Sequence, residues 1–79
     1  IDVMAAQNEF DANLEQLNAA NESFALISEK YNQGLSSSVD YLFERTKQIS
    51  AESSFLQSKY NLIFQYKLLD FYLGIPIKL

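Results

Sequence analysis

Two long runs of apolar positions at helical spacing, separated by one polar break, account for nearly the whole chain. In the first run Val3, Phe10, Leu17, Phe24 and Tyr31 recur every seven residues, with Leu14 half a heptad away from its neighbours. One face of a helix over about 2–33 therefore carries a coiled-coil-like seam. Neither proline nor glycine interrupts that stretch, and alanine, leucine, glutamate and glutamine dominate it, which favours helix over a long window. The alternate seam positions are more polar and fall on Gln7, Asn21 and Ser28. Asparagine in such a place fixes register or oligomeric state at some cost in stability. Ala5, Ala6, Ala12, Ala19, Ala20 and Ala25 are small enough to admit another helix at close range.

The second run predicts a helix over about 39–73. Val39, Leu42, Thr46, Ile49, Ser53, Leu56, Tyr60 and Ile63 alternate steps of three and four, and a second stripe joins them in the later half. There Phe55, Leu62 and Leu69 repeat by seven, with Tyr66 and Leu73 beside them. One face can pack on the first helix, while the other has no partner within these residues and reads as an interface. A single broad core face is the alternative pattern. Gly74 and Pro76 stop the helix, and the tail over 74–79 is expected to be extended.

Between the runs, Gly34 lies just past the last apolar position of the first helix, where a left-handed residue closes the final turn. Ser36, Ser37 and Ser38 then offer hydroxyls to the free N–H groups of a new helix, and Ser37 with Asp40 has capping-box spacing. The fold class is therefore all-α: a long antiparallel helical hairpin, coiled-coil-like, with a tip turn over 34–38. Each helix is expected to be roughly 50 Å long at 1.5 Å per residue.

Composition narrows what such a hairpin does. Its 79 residues are 48% hydrophobic and 14% aromatic, too apolar for a disordered segment, yet two helices have only one mutual interface. More of the same, or a partner, is implied, and the chain in isolation is expected to self-associate, as two hairpins in a four-helix bundle. It begins mid-pattern without an initiator methionine or a visible signal peptide and is read as a piece of something longer. A net charge of −4 with no basic stripe argues against a nucleic-acid partner. Histidine and cysteine are both absent, so the usual metal clusters and nucleophile–base pairs cannot be assembled. No enzyme activity, cofactor or metal is expected. Asp11 with Glu15, and Glu44 with Glu52, read as solvated charges on polar faces, Glu44 within reach of Lys47 or Gln48.

The residues from Lys30 to Gly74 resemble a known family. Tyr31-Asn32-x-Gly34, a short polar link, Val39-Asp40-x-Leu42, then Ala51-Glu52, Ser58-Lys59-Tyr60-Asn61-Leu62 and a closing Tyr72-Leu73-Gly74 are similar to the C-terminal repeat of TolC-like outer membrane efflux proteins. The resemblance implies a homotrimeric duct whose periplasmic part is an α-helical barrel, of which this hairpin is a fragment. It implies location in the periplasm as part of an outer membrane protein, and export of small molecules or proteins. By the same comparison Gly34, Leu35, Ser36, Ser37, Ser38 and Val39 would form the tip that docks a periplasmic adaptor protein, itself linked to an inner-membrane pump. Tyr31, Asp40 and Phe43 would gate the entrance. Two departures are visible: Ser36 stands where some members carry a latch arginine, and Phe43 where some carry a second acidic residue, so a constriction here would be more apolar. Turn chemistry alone also accounts for Gly34 and the serines in any antiparallel hairpin. A coiled-coil interaction module without a transport role is the other reading.

Overall fold

A computed structural model gives the structure of residues 2–74. Two helices, α1 (Val3–Asn32) and α2 (Ser38–Tyr72), run antiparallel and make an extended hairpin of 59 × 21 × 14 Å. The caps explain the boundaries. Asp2 starts α1, its Oδ1 accepting the Ala5 N–H at 2.9 Å, so one of the first orphan donors is satisfied. At the other end Gly34 takes φ +75°; its N–H donates to the Tyr31 carbonyl at 3.0 Å and that of Leu35 to the Lys30 carbonyl at 2.8 Å. This pair of bonds is a Schellman closure. Ser37, in extended conformation, then caps α2 by accepting the Asp40 N–H on its Oγ at 3.1 Å.

The expected boundaries over 2–33 and 39–73 each shift by one residue, because Asp2, Gln33, Ser37 and Leu73 serve as caps rather than helical residues. The tip is accordingly 33–37, with Ser38 already in α2. Gly74 has φ +78° and donates to the Phe71 carbonyl at 3.1 Å, stopping α2 as anticipated. The rest of the expected tail, 75–79, lies outside the described residues.

The helices meet along a thin, mixed seam. Val3, Phe10, Leu17 and Phe24 face inward as their period suggests, but the alternate inward row is Ala6, Asn13, Ala20 and Ile27. The expected row of Gln7, Asn21 and Ser28 lies along its edge, Gln7 and Ser28 half-buried and Asn21 exposed. Small Ala6 and Ala20 on the inner row, with Ala51 and Ser58 facing from α2, leave space for the neighbouring aromatic rings. Phe10 and Phe55 have centroids 5.2 Å apart, and Phe24 and Tyr41 5.3 Å. Ala6, Ala51 and Ser58 are the only buried residues among those described, and no large side chain is fully enclosed.

In α2 the inward row is Tyr41, Glu44, Gln48, Ala51, Phe55, Ser58, Leu62, Gln65 and Leu69, in steps of three and four. The more apolar stripe from Val39 to Ile63 faces away from α1, with Val39, Leu42, Ile49, Leu56, Tyr60 and Ile63 all exposed. The two stripes are thus separate faces. The polar row turns inward because it answers the asparagines of α1: Asn13 Nδ2 donates to Ser58 Oγ at 3.0 Å, and Gln48 Nε2 donates to Asn21 Oδ1 at 2.9 Å. At the open end the Asp2 N–H donates to Gln65 Oε1 at 3.2 Å.

Candidate functional site at the tip and outer face

The tip is built by its caps. With the Schellman closure on one side and the Ser37 cap on the other, only 33–37 link the helices, and Gly34, Leu35, Ser37, Ser38 and Val39 are all exposed there. Ser36 is half-buried and its Oγ donates to the Ser37 carbonyl at 3.4 Å. A Cβ built on Gly34 would meet nothing within 4 Å, so the glycine is required by its backbone conformation and opens a bare patch of main chain to solvent. Leu35 and Val39 flank it, each more than 70% exposed.

The residues assigned to gating are placed separately. Tyr31 lies over the inner side of the tip, its ring 4.7 Å from that of Tyr41. Asp40 is exposed in the first turn of α2, where its charge favours the positive helix end. Phe43 points outward with the Lys47 ammonium 5.3 Å from its ring centroid. Tyr31 thus belongs to an aromatic stack with Tyr41 and Phe24, on which the Arg45 guanidinium sits at 5.4 Å. Sequence reasoning missed Tyr41 as the anchor of the tip. The signal was present in the seven-residue series Tyr41, Gln48, Phe55, Leu62, Leu69, which a glutamine interrupts.

Glu44 departs from its expected place on a polar face: it projects into the seam, only 22% of its side chain exposed. Oε1 lies 3.6 Å from Lys47 Nζ, while Oε2 is shielded from solvent without a hydrogen-bond partner. Gln48 does not pair with it, being engaged by Arg45 at 2.6 Å and by Asn21. Asp11 accepts from Gln7 Nε2 at 3.0 Å, and Glu15 and Glu52 are exposed. No group of acidic residues among those described could hold a metal ion. On one flank Ala19, Ala20, Ser23, Ser50, Ala51 and Ser54 line an open groove of about 290 Å³ between the helices.

The chemistry on offer is that of contact: bare backbone and apolar side chains at the tip, and a long apolar strip down the outside of α2. No described helix is long and apolar enough to cross a membrane. Compared with family models, with curated proteins and with solved structures, the chain finds no match in any of the three.

Proposed function

We propose that this hairpin is the periplasmic tip of a trimeric outer membrane efflux duct of the TolC-like kind, docking an adaptor protein and forming part of the duct entrance. The observation that carries the proposal is the apolar surface left uncovered on the outer side of α2. That side bears Leu42, Ile49, Leu56 and Ile63, all exposed, whereas the side facing α1 mixes Tyr41, Phe55, Leu62 and Leu69 with Glu44, Gln48, Ser58 and Gln65. A hairpin that worked alone would bury the apolar stripe; one set in a wall of helices needs neighbours on both sides, and contiguous exposed apolar faces of this length mark interfaces. The resemblance of the motif series from Tyr31 to Gly74 to TolC-like proteins is what suggests which wall this is. At the tip, the exposed Gly34 backbone between Leu35 and Val39 suits close approach by another helical hairpin. In this reading Phe43 gives the entrance an apolar lining, and Tyr31, pinned by Tyr41, gives it a fixed inner edge.

Ser38 is the position from which to test docking, because it is exposed whereas Ser36 is half-buried and Ser37 is the cap. Ser38→Cys in the outer membrane protein that carries this segment, with any other cysteines masked, should cross-link in cell envelopes to a periplasmic adaptor. A folded, membrane-associated protein that yields no adduct from Ser38 or Leu35 would refute docking at the tip.

The second reading, an interaction module without a transport role, is favoured by the open space around Gly34, since φ +75° alone explains the glycine. The two separate at Gly34→Asn. Asparagine tolerates the left-handed conformation and preserves the turn while adding a side chain. A docking tip loses partner binding in this variant; a turn that serves only to reverse the chain does not.

A further inference from the structure

Near the tip, three side chains of α2 are joined in a way that neither the seam nor the turn requires. Glu44 projects into the seam, and its Oε2 is shielded from solvent without a hydrogen-bond partner. An unpaired carboxyl oxygen in such a place is costly. Packing does not account for it, since an apolar side chain would fill the same space without that cost. The other oxygen does: Oε1 lies 3.6 Å from Lys47 Nζ. Arg45, the other cation close by, is turned elsewhere, its guanidinium donating to Gln48 Oε1 at 2.6 Å and lying 5.4 Å from the Phe24 centroid. Lys47 in turn places its ammonium 5.3 Å from the centroid of the exposed Phe43 ring. The three form a chain from seam to surface, with Glu44 innermost, Lys47 bridging and Phe43 outermost.

We propose that Glu44 and Lys47 are positioning residues that hold the Phe43 ring in place at the mouth of the duct, which rests on the reading of Phe43 as entrance lining and adds how that lining is fixed. Among the described residues Phe43 stacks on no other ring, the aromatic contacts of the tip being those of Phe24, Tyr31 and Tyr41. Left to itself, an exposed ring changes rotamer in picoseconds to nanoseconds and defines no edge. A cation over its face restrains it. Lysine alone is a poor restraint, because its ammonium sits on a flexible four-carbon stem. Glu44 supplies the missing fixity: its carboxylate is held by the seam, and the charge it presents keeps the ammonium over the ring. Helical spacing makes the arrangement possible. Glu44 is one residue past Phe43 and so turns about 100° from it, toward α1, whereas Lys47 is three residues past Glu44 and four past Phe43, within reach of both.

Single-channel recording in planar lipid bilayers, from the outer membrane protein that carries this segment, tests the arrangement. Phe43→Ala should raise the conductance, and the level it shows marks a released entrance. Lys47→Gln should bring the channel to that level roughly two- to fivefold more often than the parent, the factor that loss of an exposed cation–π contact carries. Glu44→Gln should act in the same direction, while Lys47→Arg keeps a cation over the ring and should behave as the parent does. In a Phe43→Leu background Lys47→Gln should add nothing, a result that general loosening of the helix would not give. Lys47→Gln or Glu44→Gln channels that match the parent, a Lys47→Arg channel that behaves like Lys47→Gln, or a Lys47→Gln effect that persists without the ring would overturn the proposal and leave the duct reading intact. A conducting channel indifferent to Phe43→Ala would remove Phe43 from the entrance and this role of Glu44 and Lys47 with it, and a protein that conducts nothing would overturn the duct reading as well.

Discussion

Removing the Ser58 hydroxyl should unsettle the hairpin more than the loss of one oxygen suggests. Ser58 is 3% exposed; its Oγ accepts the Asn13 amide at 3.0 Å and has the Ser54 and Phe55 carbonyls of its own helix at 2.9 and 3.0 Å. In Ser58→Ala the α-helical ladder is unchanged, but the Asn13 N–H loses its partner in a half-buried position. A lost bond of about 1 kcal/mol, with up to about 1 kcal/mol more for the stranded donor, predicts a destabilisation of roughly 1–2 kcal/mol. Asn13→Leu alone costs less, since Ser58 still donates within α2. The double variant Asn13→Leu/Ser58→Ala sets apolar against apolar and should come close to the parent, so the two changes couple by about 1 kcal/mol. Urea unfolding followed by far-UV circular dichroism measures the cycle, at one fixed chain concentration because association shifts the midpoint. Strictly additive single effects, or a Ser58→Ala cost below about 0.3 kcal/mol, would refute the view that polar rungs hold the seam.

Three further outcomes follow from the caps and rings. Gly34→Ala should cost about 1 kcal/mol through its left-handed backbone alone, because the added methyl meets nothing, and Gly34→Asn should cost less; equal midpoints for glycine and alanine would contradict this. Ser37→Ala removes the acceptor for the Asp40 N–H and should lower stability by about 1 kcal/mol, with hydrogen exchange accelerating first in the opening turn of α2. Phe55→Ala breaks the ring contact with Phe10 and should cost roughly 2–3 kcal/mol, read as a fall in thermal midpoint; a loss no larger than that of Ser37→Ala would mean the aromatic layer is not well packed.

Much of the architecture is legible in the chain because its signals are local. Asp2, Gly34, Ser37 and Gly74 each satisfy or terminate backbone groups within a few residues, so the helix limits follow from composition to within one position. The row from Val3 to Tyr31 is equally plain. What hydrophobicity cannot reveal is which stripe of α2 turns toward α1, for the more apolar one is exposed and the inward one contains Glu44, Gln48, Ser58 and Gln65. That choice depends on Asn13 and Asn21 finding partners across the seam, a pairwise matter invisible to a count of apolar positions. The same blindness hid the inner row of Ala6, Asn13, Ala20 and Ile27 and left Glu44 assigned to a solvated face. At the tip, Gly34, Leu35, Ser37, Ser38 and Val39 are exposed while Ser36 is half-buried, and the anchoring of Tyr31 by Tyr41 emerges only when both helices are present.

The polar rungs also have a mechanical meaning. Asn13 with Ser58 and Asn21 with Gln48 cross the seam at two heights, and a slip of one helical turn along the axis, about 5.4 Å, would break both. Greasy interfaces permit sliding; this one is toothed. A push delivered at Gly34 therefore cannot be absorbed by one helix creeping past the other, and it travels along the 59 Å of the hairpin as the displacement of a single strut.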